Sequence, residues 1–246
     1  MSTNQVPSPV LKLELGKVAP NVIVCGDSAR ALQIAQRLDS FEKIAERREY
    51  VAFTGKKNGV TVTIASHGVG AAGAAICFEE LIRYGAKRII RIGTCGSYDA
   101  TQSRGDAIIA TGATGEDGVT CSLVPAGFPA VCDTELVVAL EMAAKAQNAP
   151  YRRGIVRTKA DFYPGVIAHH AELWAAAGAV GVEMELAALL VIASIRRVKA
   201  GGIFVIDGFP LDDQSMANHD QKNEIVKNGM DRAISVALAA ITAEPV

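Results

Sequence analysis

Short apolar runs separated by longer amphipathic stretches set the rhythm of this chain. The run NVIVC over Asn21–Cys25 reads as a strand buried on both faces, and residues 29–38 after it repeat their apolar positions at helical spacing. β-Branched residues alternate through Val60–Ser66, which predicts another strand. Residues 71–84 read as a helix, closed by Gly85 where a helix C-terminus favours glycine. Further strands are expected over 87–92, 106–111, 154–158, 180–183 and 201–207. Further helices are expected over 134–147, capped by Asp133, then 167–177, ended by Gly178, then 185–196 and 223–241. Continuously apolar strands between helices predict an α/β chain with a central, mixed but largely parallel β-sheet flanked by helices. No internal repeat or low-complexity linker divides it, so 1–246 reads as a single domain.

Composition narrows the function classes. Half of the 246 residues are hydrophobic and 21% are charged, the balance of a globular protein. A formal net charge of −1 gives no electrostatic footprint for nucleic acid or an anionic membrane. No apolar run reaches the roughly 18 residues a membrane span needs, and residues 1–10 lack a signal-peptide pattern. The five cysteines, Cys25, Cys77, Cys95, Cys121 and Cys132, show neither CxxC nor zinc-site spacing. They read as free thiols, mostly buried, in a reducing compartment, so a cytoplasmic location and no metal are expected.

In open α/β sheets, ligands gather beyond the carboxyl ends of the strands. Here those ends carry Gly26-Asp27-Ser28-Ala29-Arg30, His67-Gly68-Val69-Gly70, Gly93-Thr94-Cys95-Gly96, Glu183-Met184-Glu185 and Asp207-Gly208, with Arg91 near the end of its strand. Glycines, arginines and carboxylates together are the chemistry of an anion site beside a polyol site. Gly68-Val69-Gly70-Ala71-Ala72-Gly73 also matches GxGxxG, the dinucleotide fingerprint. That fingerprint needs an acid at the end of the next strand, whereas the chain there reads Arg91-Ile92-Gly93-Thr94 and its first acid is Asp99. Close packing of a small-residue helix on the sheet is the better reading.

Six segments together resemble the nucleoside phosphorylase-I family. They are GDSAR at 26–30, REY at 48–50, SHGVG at 66–70, RIGTCGS at 91–97, VEME at 182–185 and IDG at 206–208. They follow the family's order and spacing from about residue 10 to the final helix. Within the family the likeness is greatest to its hexameric, purine-cleaving members of malaria-parasite type. The resemblance implies phosphorolysis of a nucleoside, with inorganic phosphate as co-substrate and no cofactor. Gly26, Arg30, Arg91 and Thr94 then match the phosphate site, and Arg48 the arginine that reaches a neighbouring subunit's phosphate in a homo-hexamer. Glu185, Met184 and Glu183 match the ribose site, with Glu183 the more ambiguous because it lies on the strand side. Phe162 matches the aromatic that stacks on the base, beside Cys95 and Gly96. Asp207 matches the acid that protonates the departing purine.

The chemistry explains those residue types. Phosphate carries about two negative charges near neutral pH and needs fixed cations and N–H donors. The arginine fork gives parallel hydrogen bonds to its oxygens. N-Glycosidic cleavage passes through an oxocarbenium-like sugar, as in glycoside hydrolysis. A ribose diol calls for a carboxylate accepting two O–H donors, and the leaving base for a proton. Taken singly, each residue has a plainer reading: Arg30 as a solvated helix residue, Arg91 as an ion pair, Glu185 as a complement to its helix dipole, Asp207 as a turn residue. His67 reads as ordering its Gly-rich turn, His169 and His170 as exposed helix residues, and Trp174 as core.

Two departures from the family bear on specificity. Val10 stands where many relatives place a histidine against a neighbour's 5′-hydroxyl, so weaker discrimination there is expected. The stretch 158–163 (TKADFY) lacks the glutamine-x-arginine pair with which uridine phosphorylases grip uracil, which tilts the reading toward purines. The polar segment 209–221 reads as a loop closing over the base, with Asp212, Asp213 and His219 as candidates among which the sequence does not choose. A uridine phosphorylase and a non-catalytic nucleoside-binding protein are the competing readings.

Overall fold

A computed structural model describes residues 7–211 and 223–243. The elements begin β1 (Asn21–Cys25), α1 (Ser28–Ala35), β2 (Ser40–Arg47), β3 (Tyr50–Lys57), β4 (Val60–Ser66) and α2 (Ala71–Arg83). Next come β5 (Arg88–Ser97), β6 (Ala107–Glu116), α3 (Thr120–Leu123), β7 (Ala130–Val131) and α4 (Thr134–Ala146). The chain continues through β8 (Tyr151–Lys159), α5 (Ala171–Ala176), β9 (Gly181–Glu183), α6 (Leu186–Arg196), β10 (Lys199–Gly208) and α7 (Glu224–Thr242).

β1 lies parallel to β4 on one side and to β5 on the other. Its apolar run suits a strand covered on both faces, since four of its five residues are buried. β3 and β2 extend this side antiparallel, as a hairpin over 40–57 that the hydrophobic pattern did not announce. The reason is position. β2 is an edge strand, SFEKIAER, with almost every residue exposed, so it has no buried face to write into the sequence.

On the other side the sheet closes on itself. β5 pairs parallel with β10, β10 antiparallel with β6, β6 parallel with β8, β8 parallel with β9, and β9 antiparallel back onto β5. β5 serves both halves: Arg88–Ile92 pair with β1, and Gly96 and Ser97 pair with β9. It runs to Ser97, well beyond the 87–92 read from apolar residues alone, because glycines carry it through a crowded stretch. A Cβ on Gly96 would lie 2.4 Å from Pro210 Cγ.

The helices cover both faces. All residues of α6 from Leu186 to Ala193 are buried, fitting an element apolar on every side. Asp133 caps α4 through its side chain, as its position before an apolar-periodic stretch implies, and Asn223, expected inside the last helix, caps α7 instead. Two helices are shorter than expected: 29–38 ends at Ala35, and 167–177 contracts to Ala171–Ala176, while 161–168 form an exposed, irregular loop. Among the described residues no helix is long and apolar enough to cross a membrane.

Candidate active site

The carboxyl ends of β1, β4, β9 and β10 gather along the carboxyl-terminal half of β5, from Ile92 to Gly96. The β1–β4 ladder continues one step past both strands, with His67 N–H donating to Cys25 O (2.9 Å) and Gly68 N–H to Gly26 O (3.0 Å). Gly26 suits this approach, since a Cβ there would lie a tight 3.2 Å from Gly68 O. Gly68 and Gly70 hold φ of +75° and +92°, which L side chains rarely adopt. The turn they make aims the Gly70 N–H, at the start of α2, onto Glu185 Oε1 at 2.5 Å. The GxGxxG segment therefore orients a carboxylate, a part that its reading as a close-packing helix did not include.

Arg91 sits in the interior of β5, 4% exposed, rather than at a strand end. Its guanidinium donates to Glu185 Oε2 and pairs with Glu183 Oε2 at 3.0 Å. Its other face lies over Phe204, 5.1 Å from the ring centroid. Two glycines make room for it: a Cβ on Gly93 would come within 2.7 Å of an Arg91 nitrogen, and one on Gly202, its partner on β10, would meet Phe204 at 2.9 Å. Burial works against the arginine's charge, but Glu185 and then Glu183 outweigh it and hold Arg91 protonated.

Glu183 is fully buried and fully engaged. It accepts from Thr158 Oγ1, from the Glu185 N–H (2.9 Å) and from the Leu186 N–H (2.9 and 3.0 Å), besides pairing with Arg91. Thr158 in turn accepts the Ala187 N–H at 3.0 Å. Glu183 and Thr158 thus satisfy the first N–H groups of α6, which frees Glu185, at the helix cap, to turn its carboxylate to Gly70 and Arg91. Burial raises the Glu183 carboxyl above its ordinary range, against the pull of Arg91. The part Thr158 plays was not read from the sequence, because a threonine ending a strand has no distinctive signal.

Arg30, the third residue of α1, is half-buried and makes no ion pair among the described residues. Burial drives the His67 imidazole well below its usual range, and the charges of Arg91 and then Arg30 reinforce this. Both arginines therefore lie close enough to His67 for their charges to act on its ring. His67 Nδ1 lies 2.8 Å from Gly68 O; as a carbonyl only accepts, Nδ1 carries the proton. This fits its reading as the residue that orders the turn.

Asp207 lies at the bulge near the end of β10, where Ile206 pairs with Cys95 and Gly208 with Gly96, and is 4% exposed. Burial pushes the Cys95 thiol well up, and Asp207 and then Glu183 add to the effect. Thr94 and Met184 are half-buried beside this group. Two sequence-chosen residues stand apart. Arg48 is exposed on the β2–β3 turn at φ +55°, while its neighbour Glu49 packs over Gly68. Phe162 lies on the 161–168 loop, 39% exposed and edge-on to Tyr163 at 5.2 Å. Asp212, Asp213, His219 and most of the expected 209–221 loop lie outside the described residues.

Successive strand residues face opposite ways, so Thr158 points to Glu183 while Arg157 points to the other face of β8. There Arg157 holds Glu116 (2.5 Å) and the His169 carbonyl (2.6 Å) and lies over Trp174. A cavity of about 880 Å³ opens between this cluster and the 161–168 loop. His169 is not an exposed helix residue: its ring sits between Lys159 and Asp161, ahead of α5. Val10, half-buried against the core, is held by its N–H donating to Glu80 Oε1 at 2.9 Å.

A family model described as the phosphorylase superfamily matches residues 20–242. The chain is 39% identical over 232 residues to a purine nucleoside phosphorylase of Plasmodium falciparum, covering 94% of each chain. It is 37% identical over 206 residues to a uridine phosphorylase of Treponema pallidum, covering 80% of each. The fold superposes on the crystal structure of a Toxoplasma gondii purine nucleoside phosphorylase in complex with immucillin-H with a TM-score of 0.92. The two are 30% identical, with 98% of this chain and 97% of the other covered.

Proposed function

This chain belongs to the phosphorylase superfamily, and on that premise we propose that it is a purine nucleoside phosphorylase, transferring the ribosyl group of inosine- or guanosine-type nucleosides to inorganic phosphate. The observation that carries this reading is the buried Glu185 carboxylate, presented by Gly70 and Arg91, with a second arginine, Arg30, near enough for its charge to act on the neighbouring His67. A fixed carboxylate suits a ribose diol, and a cation without an ion pair among the described residues suits phosphate.

In this reading Gly26, Arg30, Arg91 and Thr94 bind phosphate, helped by Arg48 of a neighbouring subunit. Glu185 and Met184 hold the ribose, and Phe162, Cys95 and Gly96 border the base. A phosphate oxygen forms the new bond to C1′ as the bond from C1′ to the purine nitrogen breaks. The departing base takes that electron pair, and Asp207 delivers a proton to N7. Phosphate beneath the ring stabilises the developing positive charge of the sugar, and the proton transfer contributes about 10²- to 10⁴-fold. No metal or organic cofactor takes part. The enzyme is cytoplasmic and assembles as a homo-hexamer. Supporting the assembly are Arg48, exposed and without an ion pair among the described residues, and exposed apolar side chains at Val131, Ile155, Val166, Ile167 and Leu173 that neighbouring copies would cover.

The similarity to the Treponema pallidum enzyme supports uridine as a competing substrate, and the missing glutamine-x-arginine pair weighs against it. The test is release of free base from inosine, with and without added phosphate, beside uridine. Phosphate-dependent hypoxanthine release supports the reading. Cleavage without phosphate makes the protein a hydrolase, cleavage of uridine alone a uridine phosphorylase, and binding without turnover of either a nucleoside-binding protein.

A further inference from the structure

Glu183 and Glu185 are two residues apart, yet the fold uses them differently. Glu185 is bound by one backbone N–H and one arginine, and its carboxylate stands at a helix start among strand ends that carry the other candidate groups. Glu183 has a wholly buried side chain whose oxygens are taken by Thr158, two backbone N–H groups and Arg91. No acceptor capacity faces a ligand, and reaching one would uncap α6. We propose that Glu183 does not touch ribose but is a positioning residue: with Thr158 it fixes the start of α6, and through Arg91 it sets the carboxylate of Glu185.

This inference rests on the phosphorylase reading for its kinetic consequences, but not for its structural one. Arg91 is one cation shared between two carboxylates. With Glu183 made neutral, Arg91 loses one of them, and Glu185 is left with a cation no longer anchored from behind. The Gly70 N–H, which bonds Glu185 and not Glu183, then loses its partner's fixed position. Arg91, less neutralised, becomes the better anion ligand. The ribose side of the site weakens while the phosphate side does not.

The variants are Glu183→Gln, which keeps an oxygen for the α6 N–H groups, Thr158→Val, and Thr158→Ser as the conservative control. Amide hydrogen exchange on the ligand-free protein gives the first readout, and steady-state kinetics with inosine and inorganic phosphate the second. Expected for Glu183→Gln is exchange at Gly70 faster by about tenfold or more, the order of one lost charge-assisted hydrogen bond. KM for inosine rises by a similar factor, and KM for phosphate stays or falls. Thr158→Val moves both in the same direction, and Thr158→Ser restores them. Faster exchange at Glu185 and Leu186 with Gly70 unchanged overturns the proposal, because Glu183 is then a helix cap alone. Equal rises in both KM values overturn it as general loosening. A raised inosine KM with Gly70 protected overturns it in favour of direct ribose contact. If the wild-type enzyme shows no phosphate-dependent turnover, the phosphorylase reading has failed separately, and Gly70 exchange still decides the role of Glu183.

Discussion

Replacing Arg91 by methionine removes one charge from the middle of the molecule and little volume. In the wild type a single guanidinium faces two carboxylates whose side chains are 5% and 0% exposed. Without it Glu185 and Glu183 become neighbouring buried anions with no cation. Breaking a buried ion pair by removing one partner costs about 3–5 kcal/mol, mostly as the penalty on the charge left behind. The variant has an escape, which is to bind a proton. Burial already holds Glu183 above the unfolded value of 4.5, with Arg91 the chief opposing influence, so losing Arg91 raises it further. A carboxyl whose folded pKa lies above its unfolded one contributes stability below the unfolded value and loses it as pH rises through the folded one. The deficit of Arg91→Met should therefore be largest near pH 8 and shrink toward pH 5, by at most about 1.4 kcal/mol per pH unit for one proton. The assay is urea unfolding followed by circular dichroism, at fixed protein concentration, for wild type, Arg91→Met and Arg91→Met with Glu185→Gln. The double variant should recover part of the loss. A deficit under about 1 kcal/mol at pH 7.5, or one unchanged across that range, would refute a charged, desolvated cluster.

Four further outcomes follow from the same contacts. Gly93→Ala places a methyl 2.7 Å from an Arg91 nitrogen; because Arg91 both holds Glu185 and is assigned to phosphate, KM for nucleoside and for phosphate should both rise, by about tenfold, the order of one lost charge-assisted hydrogen bond, and wild-type kinetics would disprove the crowding. His67 is buried neutral with its pKa below 6.5, so wild-type stability should fall as pH drops below that value, by up to about 1.4 kcal/mol per unit. Urea melts at pH 7.5 and 5.5 should show this slope reduced in His67→Asn. A disulfide reagent should modify Cys121 quickly in the native protein and Cys25, Cys77, Cys95 and Cys132 only in urea, since those four are buried; fast loss of a second thiol contradicts this. Val10→His should sharpen the preference for inosine over 5′-deoxyinosine, and an unchanged ratio removes the residue from 5′ recognition.

Hydrophobic periodicity by itself determined much of this protein. It located β1 and β4 to the residue, the helices α4 and α7 to within one residue at each end, and the α/β layering, because each of these elements is buried by its own neighbours along a face or stripe that local sequence must encode. The residues at the strand ends pointed to an anion and a polyol together. Only tertiary structure decided the rest. The β2–β3 hairpin is an exposed edge, so it left no apolar pattern. β5 continues through glycines, whose reason is the backbone and side chains packed against them. Arg91 and Glu185 are 94 residues apart, and nothing local says which carboxylates an arginine inside an apolar strand will meet. The division of labour between Glu183 and Glu185 has the same origin. A carboxylate's role is set by which N–H groups and cations reach it first, and that depends on how β8, β9 and α6 pack, not on the two letters in the chain.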